Sequence, residues 1–321
     1  MTVVNRKSST ATYRYGLLDP RLTNLAAKHN ASMFTKRPIW GVEVTVPDLA
    51  NSLDYNIDPQ HTDGDVTTAA IEQALSGPLP PDGTTLVTVR PDLDSVGSMA
   101  VFALRAYGHR FNATELGKIH IIAISDKFQK GPWPGPRPLP NDQQLSDDYV
   151  SSVEDNSYLA AIAAAIDDDA QTLRCRVDWL QQWIQDGSEP PGYRDAWVEQ
   201  RQQLVRALTQ GGIRPYVVKA GLQDVAVVES SYRAPTSLGY HLAPVVISRN
   251  VNHYFRQDGP LVKYTVSQWP DRHYVDLPAV LTDLSKLEPG WGGSPTIGGS
   301  PQGQSSRLDI EDVLDAIAAH V

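Results

Sequence analysis

The sequence predicts an α/β protein. It reads as a parallel-sheet N-terminal domain with flanking helices, joined by a helical linker to a smaller α/β C-terminal domain. Three observations predict this. An apolar run, Thr85 to Val89, precedes a helix-like run, Ser98 to Tyr107, and a second apolar run, Ile119 to Ile124. Strand, helix and strand at that spacing make a βαβ unit, and so parallel strands. From Asn156 the period changes: Leu159, Ile162, Ile166, Leu173, Val177, Leu180 and Ile184 recur at spacings of 3, 4 and 7, one face of a long helix. After Gly211-Gly212, short strand and helix signals alternate again.

In chain order, residues 1 to about 38 are mixed and polar and predict an irregular arm. Ile39 to Val46 alternates and is β-branched, a strand. Asn56 to Asp65 is a turn-rich polar loop, Thr67 to Leu75 a helix, and Gly77 to Gly83 a connector. The run Ser98 to Tyr107 is closed by Gly108, and Ile119 to Ile124 leads to Asp126. Lys127 to Pro140 is a long proline-rich loop; such loops are functional or irregular. The long helix closes at Gly187, and a second runs from about Tyr193 to Thr209. Beyond it, Tyr216–Val218, Val225–Val228, Val245–Ile247 and Val262–Gln268 read as strands; Pro235–His241, Leu277–Leu287 and Leu308–Ala319 read as helices. Gly290 to Gly303 is a glycine loop. The domains predicted are an arm (1–38), an α/β domain (39–190), a linker (191–212) and a C-terminal domain (213–321).

Composition narrows the class. A 41% hydrophobic and 20% charged chain is that of a soluble globular protein. No apolar run approaches the ~20 residues of a membrane helix, and the first residues have no long apolar core, so neither a membrane partner nor a secretory leader is expected. One cysteine, Cys175, excludes an internal disulfide and a cysteine-rich zinc site. A cytoplasmic protein is expected. The net charge of −9 argues against binding duplex nucleic acid, whose affinity comes from phosphate neutralisation. It leaves room for a small phosphorylated or nucleotide ligand held by a few local groups. A homodimer is left open.

The segment richest in chemistry is Leu86 to Met99, LVTVRPDLDSVGSM. A strand stops at two carboxylates, Asp92 and Asp94, then enters a turn of small residues ending at Ser98. Carboxylates at a strand's C-terminal end, opposite a helix N-terminus, suit a cation or a phosphate. Two so close repel unless a cation or proton lies between them. The alternative is capping of the following helix, which explains one carboxylate better than two. Asp126 is a third candidate, or a loop residue at a strand end. Asp58 and His61 of IDPQH add ligands if that loop folds over the sheet edge; otherwise they belong to an ordinary turn. Carboxylates without imidazole favour Mg²⁺ or Mn²⁺ over zinc.

Arg90, Ser98 and Lys127 are candidates for holding substrate, although Arg90 can equally pair with Asp92. Gly292, Gly293, Gly298 and Gly299 let backbone N–H groups approach an anion, and Ser294 and Ser300 add donors; the alternative is a tight structural loop. Lys127, Lys130 and Arg137 surround Trp133, which suits a nucleotide or a packed tryptophan in a solvated loop. Trp179 and Trp183 read as packing, and His241 and His253 as core or surface histidines. There is no P-loop and no G-x-S-x-G elbow.

Three segments together resemble the DHH phosphoesterase superfamily. PDLDSVGS (Pro91 to Ser98) is similar to its first motif, H-x-x-P-D-x-D-x-x-G-S. IIAISD (Ile121 to Asp126) is similar to its second, a strand ending in an aspartate. VSQWPDRHYVDLPAVLTDL followed by GWGGSPTIGG stands where the family has G-G-G-H-P-x-A-A-G. The resemblance covers most of residues 84 to 321. It implies Mn²⁺ or a similar ion on Asp92, Asp94 and Asp126, with water attacking phosphorus and the glycine loop holding substrate. It also implies a cleft between two domains. The departures are equally specific. Thr88 and Ser294 stand at the family's histidine positions, and no Asp-His-His follows Asp126. Two functions follow as expectations: metal-dependent hydrolysis of a nucleotide or short-oligonucleotide phosphoester, or a nucleotide-binding sensor or assembly protein without catalysis.

Overall fold

The computed structural model describes residues 13–22, 38–58, 68–126, 133–135, 172–190, 192–232, 236–255 and 258–321. Contacts divide the chain into two units. The first comprises Met1–Asp63, Thr68–Ala123 and Ile162–Pro191; the second comprises Gly64–Thr67, Ile124–Ala161 and Gly192–Val321.

The first unit holds a four-stranded parallel sheet: β1 (Arg14–Leu17), β2 (Ile39–Val42), β3 (Tyr55–Ile57) and β4 (Thr85–Thr88) in the order β1-β4-β2-β3. Every residue of β2 and β4 is buried, as expected of parallel strands covered on both faces. β1 lies within the stretch read as an irregular arm. Its Tyr13-Arg14-Tyr15 start is too short a pattern to call a strand without β4 beside it.

Helices α1 (Pro47–Ala50), α2 (Ala70–Ser76), α3 (Leu93–Ala106), α4 (Ala113–Asp126) and α5 (Leu173–Asp186) accompany this sheet. α4 is one continuous helix whose last residues, after Ala123, belong to the second unit. α3 is buried from Asp94 to Leu104. Its small residues let neighbours come close: a Cβ on Gly97 would meet Ile71 Cδ1 at 2.9 Å.

α4 corrects the sequence reading. Ile119–Ile124, expected as a strand beside β4, is helical. β4 is indeed parallel to its neighbours, but they are β1 and β2. The reason is local. Asn112 Oδ1 accepts from the amides of Thr114 and Glu115 at 2.9 and 3.0 Å, and Glu115 Oε2 accepts from Asn112 N at 2.7 Å. That is a capping box, and Asn112-Ala113-Thr114-Glu115 spells it. Ile119, Ile122 and Ala123 are buried while His120 and Ile121 are exposed, which is helical spacing.

Glu115 is 3% exposed and also meets His109 Nε2 at 3.0 Å. Burial pushes its carboxyl up, but the Asn112 amide and His109 outweigh this and hold it below the ordinary range. A depressed carboxyl stabilises the fold above its unfolded pKa, and that contribution is lost as pH falls through the folded value. Glu115→Gln is therefore expected to melt with a shallower pH dependence than the parent below about pH 4.5, checked by thermal melts between pH 3 and 6.

In α5, Thr172 accepts from Cys175 N at 3.3 Å and Gly187, with φ +81°, ends the helix. Of the predicted face, Val177, Leu180 and Ile184 are buried and Leu173, at the helix start, is half-buried; Trp183 is buried beside them, and Leu159, Ile162 and Ile166 lie outside the described residues. Lys118 of α4 donates to the carbonyls of Trp183 and Ile184 at 2.7 and 3.0 Å, a cation at a helix C-terminus.

The second unit is built on a mixed six-stranded sheet, order β5-β6-β7-β8-β10-β9. Its strands are β5 (Ile213–Ala220), β6 (Gln223–Ser230), β7 (Val245–Phe255), β8 (Asp258–Gln268), β9 (Gly292–Gly293) and β10 (Ile297–Gly299). Only β6 and β7 pair in parallel among them. The helices are α6 (Tyr193–Thr209), α7 (Thr236–Gly239), α8 (Leu277–Leu287) and α9 (Ile310–Ala318). β6 alternates: Val225 and Val227 join α8 and α9 in one core, while Ala226 and Val228 join Ala207, Leu238, Tyr240 and Trp133 in another. Thus α6, in the segment read as a linker, packs Ala207 into the second unit's core.

Candidate functional site

In the parallel sheet each strand leads to a carboxylate: β1 to Asp19, β2 to Glu43, β3 to Asp58, and β4 to Asp92 and Asp94. Carboxyl ends of parallel strands are where α/β sheets place ligands. Asp19 is held by Arg21 at 2.8 Å. Asp58 is buried.

Asp92 and Asp94 have separate tasks. Asp92 is the N-cap of α3, accepting from Ser95 N at 3.1 Å, with Arg90 Nε 3.6 Å away. Asp94 is 1% exposed and reaches back 23 and 24 residues. Its Oδ2 accepts from Ala70 N at 2.8 Å and its Oδ1 from Ile71 N at 2.9 Å. Arg105, on the same helix, donates to Ala74 O at 2.5 Å. α3 therefore holds α2 with a negative charge at its N-terminus and a positive one near its C-terminus, matching the helix dipole.

Among the described residues, one group of potential ligands converges. Glu43, Asp94 and Asp126 each bring a carboxylate oxygen within 4.8 Å of the others. Asp94 and Asp126 are two of the three aspartates singled out in the sequence. Asp92 and Asp58 are not in this group, and His61 lies outside the described residues.

Glu43 was not anticipated, because an alternating strand through Val46 makes it an ordinary outward residue. The strand ends at Val42, and Glu43 has φ +53°, the left-handed region that non-glycine residues rarely occupy. The surroundings impose it. Glu43 N donates to Ile57 O at 2.9 Å. The Asn56 side chain then clamps Val44, accepting from its N–H at 3.3 Å and donating to its carbonyl at 3.2 Å. Gly41 makes room, since a Cβ there would run into Asn56 Oδ1 and Leu53. The signal that selected Asp92 and Asp94, an acid at a strand's C-terminal end, would have found Glu43 had the strand been ended at Val42.

The donor set fits a hard divalent cation: three carboxylates, of which Asp94 is fully buried and Glu43 and Asp126 partly so. Each carboxylate oxygen carries two lone pairs, so Asp94 can serve the α2 amides and a cation together. A cation among three like charges this close lowers their mutual repulsion. Oxygen-only ligands select Mg²⁺ or Mn²⁺.

The remaining candidates fall elsewhere. Ser98 is buried and donates to Asp94 O at 2.8 Å, within its own helix. The side chain of Arg90 is 62% exposed. Lys127, Lys130 and Arg137 lie outside the described residues. Trp133 is packed in the second unit's core and donates to Tyr274 OH at 3.0 Å. The glycine loop is a hairpin, β9–β10, on the edge of the mixed sheet. A Cβ on Gly293 would run into Ile297 O, and one on Gly299 would meet Tyr264 O at 2.6 Å. Ser294 Oγ accepts from Ile297 N at 3.2 Å, and Ser300 Oγ from Tyr264 N at 3.0 Å. Gly293, Gly299, Ser294 and Ser300 thus hold the hairpin together, while a Cβ on Gly292 would meet nothing within 4 Å among the described residues.

No helix among the described residues is long and apolar enough to cross a membrane. Compared with models of known protein families and with curated proteins, the chain matches none.

Proposed function

We propose that the protein holds a divalent cation, Mg²⁺ or Mn²⁺, on Glu43, Asp94 and Asp126, and that it is a metal-dependent hydrolase of a nucleotide or short-oligonucleotide phosphoester. The observation that carries this reading is the convergence of those three carboxylates beyond the C-terminal ends of parallel strands. The resemblance of PDLDSVGS to the first DHH motif supports the choice of phosphoester. Bound there, the cation would supply Lewis acidity at a phosphoryl oxygen and a more acidic water. Asp94 is oriented by two amides, Glu43 by the Asn56 clamp, and Asp126 by the end of α4.

A specific departure supports a second reading, a nucleotide-binding protein without turnover: the converging group contains no imidazole. One experiment separates the two. Mn²⁺ binding is titrated by electron paramagnetic resonance, and a panel of dinucleotides and nucleotide phosphates is assayed with Mn²⁺. Hydrolysis that Asp126→Asn lowers by at least about 100-fold supports the enzyme, since outer-shell losses alone reach about that size. Mn²⁺ and nucleotide binding without turnover supports the second reading. Absence of Mn²⁺ binding refutes the first reading, and absence of nucleotide binding refutes the second.

A further inference from the structure

α4 buries one side and exposes the opposite one. Glu115, Ile119, Ile122 and Ala123 are buried. Ala113, Leu116, Gly117, His120 and Ile121 are exposed, Leu116 by 41% and Ile121 by 38%. At helical spacing these five form one stripe, with Ala113, Gly117 and His120 along its middle and Leu116 and Ile121 on its two sides. Gly117 is the residue the fold does not explain. It stands inside a regular helix, not in a left-handed turn. A Cβ there would meet nothing within 4 Å among the described residues, unlike one on Gly97 of α3. Glycine in an exposed helix interior weakens folding about fivefold relative to alanine. What glycine alone offers at such a position is close approach to the helix backbone.

Charge and shape select what approaches. The chain carries a net charge of −9, so two copies repel except where their facing surfaces lack acids. This stripe lacks them. Glu115 is buried on the other side of the helix, and Lys118 is turned to the carbonyls of α5. The stripe also fits itself. Ala113 and Gly117 are small and lie toward the N-terminal half, while Ile121 is large and lies toward the C-terminal half. An antiparallel crossing therefore lays large residues on small ones, and a two-fold axis does so twice.

We propose that a second copy of the chain docks on this stripe, the two α4 helices crossing antiparallel at Gly117, with Leu116 of each copy beside that of the other and Ile121 of each on Ala113 of the other. One crossed pair of helices falls below the roughly 1,200 Å² of a standard interface, so the dimer is weak, with a dissociation constant of about 10 µM. The interface uses the outer face of α4 alone and goes beyond the cation reading, so EDTA is expected to leave it unchanged. The test is sedimentation equilibrium of the full chain, with a far-ultraviolet spectrum and a thermal melt of each variant. Leu116→Glu sets like charges face to face and Gly117→Leu fills the approach. Both positions are exposed, and each change is expected to keep the parent's spectrum and weaken the dimer at least about tenfold. Gly117→Ala should raise the melting temperature of protein diluted below its dissociation constant, because the fold alone has no use for glycine there. A parent that stays monomeric to about 1 mM, a dimer that neither Leu116→Glu nor Gly117→Leu weakens, or a dilute Gly117→Ala protein that melts below the parent overturns the proposal.

Discussion

Gln268→Ala is expected to destabilise the second unit by about 4 kcal/mol, since each buried polar group left without a partner costs about 1–3 kcal/mol. The substitution removes all four hydrogen bonds of one side chain and takes this partner from the amides of Tyr274 and Val275 and from Pro295 O, while Val275 O keeps Leu277 N at 3.0 Å. It also leaves a void at a site that is 1% exposed, which adds to the cost. The measurement is chemical denaturation with the transition followed by tryptophan fluorescence. Met, of similar volume, restores the packing without the hydrogen bonds and should recover a minority of the loss. Glu keeps the acceptor, loses both donations and buries a charge; it should be no better than Ala. A Gln268→Ala protein within about 1 kcal/mol of the parent would mean that water replaces the amide at this position.

The legible parts of the fold were those written in local spacing. α8 was read as Leu277–Leu287 and is observed there, because Asp276 caps it, Pro278 stands in its first turn and Val280, Leu281 and Leu284 keep its period. The runs Val225–Val228 and Val262–Gln268 likewise read as strands and lie within β6 (Gln223–Ser230) and β8 (Asp258–Gln268). α4 was misread because Ile119–Ile124 matches a buried strand in composition; the capping box seven residues upstream decides the outcome. Strand order was beyond local pattern. Nothing in Tyr13–Leu17 says that it will pair with Thr85–Thr88.

The candidate site divides in the same way. Asp94 and Asp126 were visible as acids ending apolar runs. That Asp92 caps its own helix while Asp94 caps a different one depends on amides 23 and 24 residues upstream, which no motif encodes. The glycine loop admits two readings for a physical reason. Glycines that admit a ligand and glycines that admit a neighbouring strand look alike in sequence, and here Gly293 and Gly299 admit backbone.

Glu43→Gly is expected to raise the stability of the cation-free protein while weakening Mn²⁺ binding by at least about 100-fold. The two effects have separate causes. A left-handed conformation costs a non-glycine residue about 1–2 kcal/mol, and glycine removes that cost. The change also takes one of three carboxylates out of a 4.8 Å group, relieving repulsion. The Asn56 clamp acts on the backbone of Val44 and the Glu43 amide on Ile57 O, so the turn itself survives the substitution. Glu43→Ala separates the contributions: it keeps the strain and loses the charge, and should fall between the parent and glycine in stability while binding Mn²⁺ as poorly as glycine does. Denaturant midpoints in EDTA report the first effect and Mn²⁺ titration the second. A strained residue kept at a cost to the fold is the mark of a position held for its chemistry. If Glu43→Gly instead unfolds more readily than the parent and binds Mn²⁺ equally well, Glu43 serves the fold and the cation reading loses its third ligand.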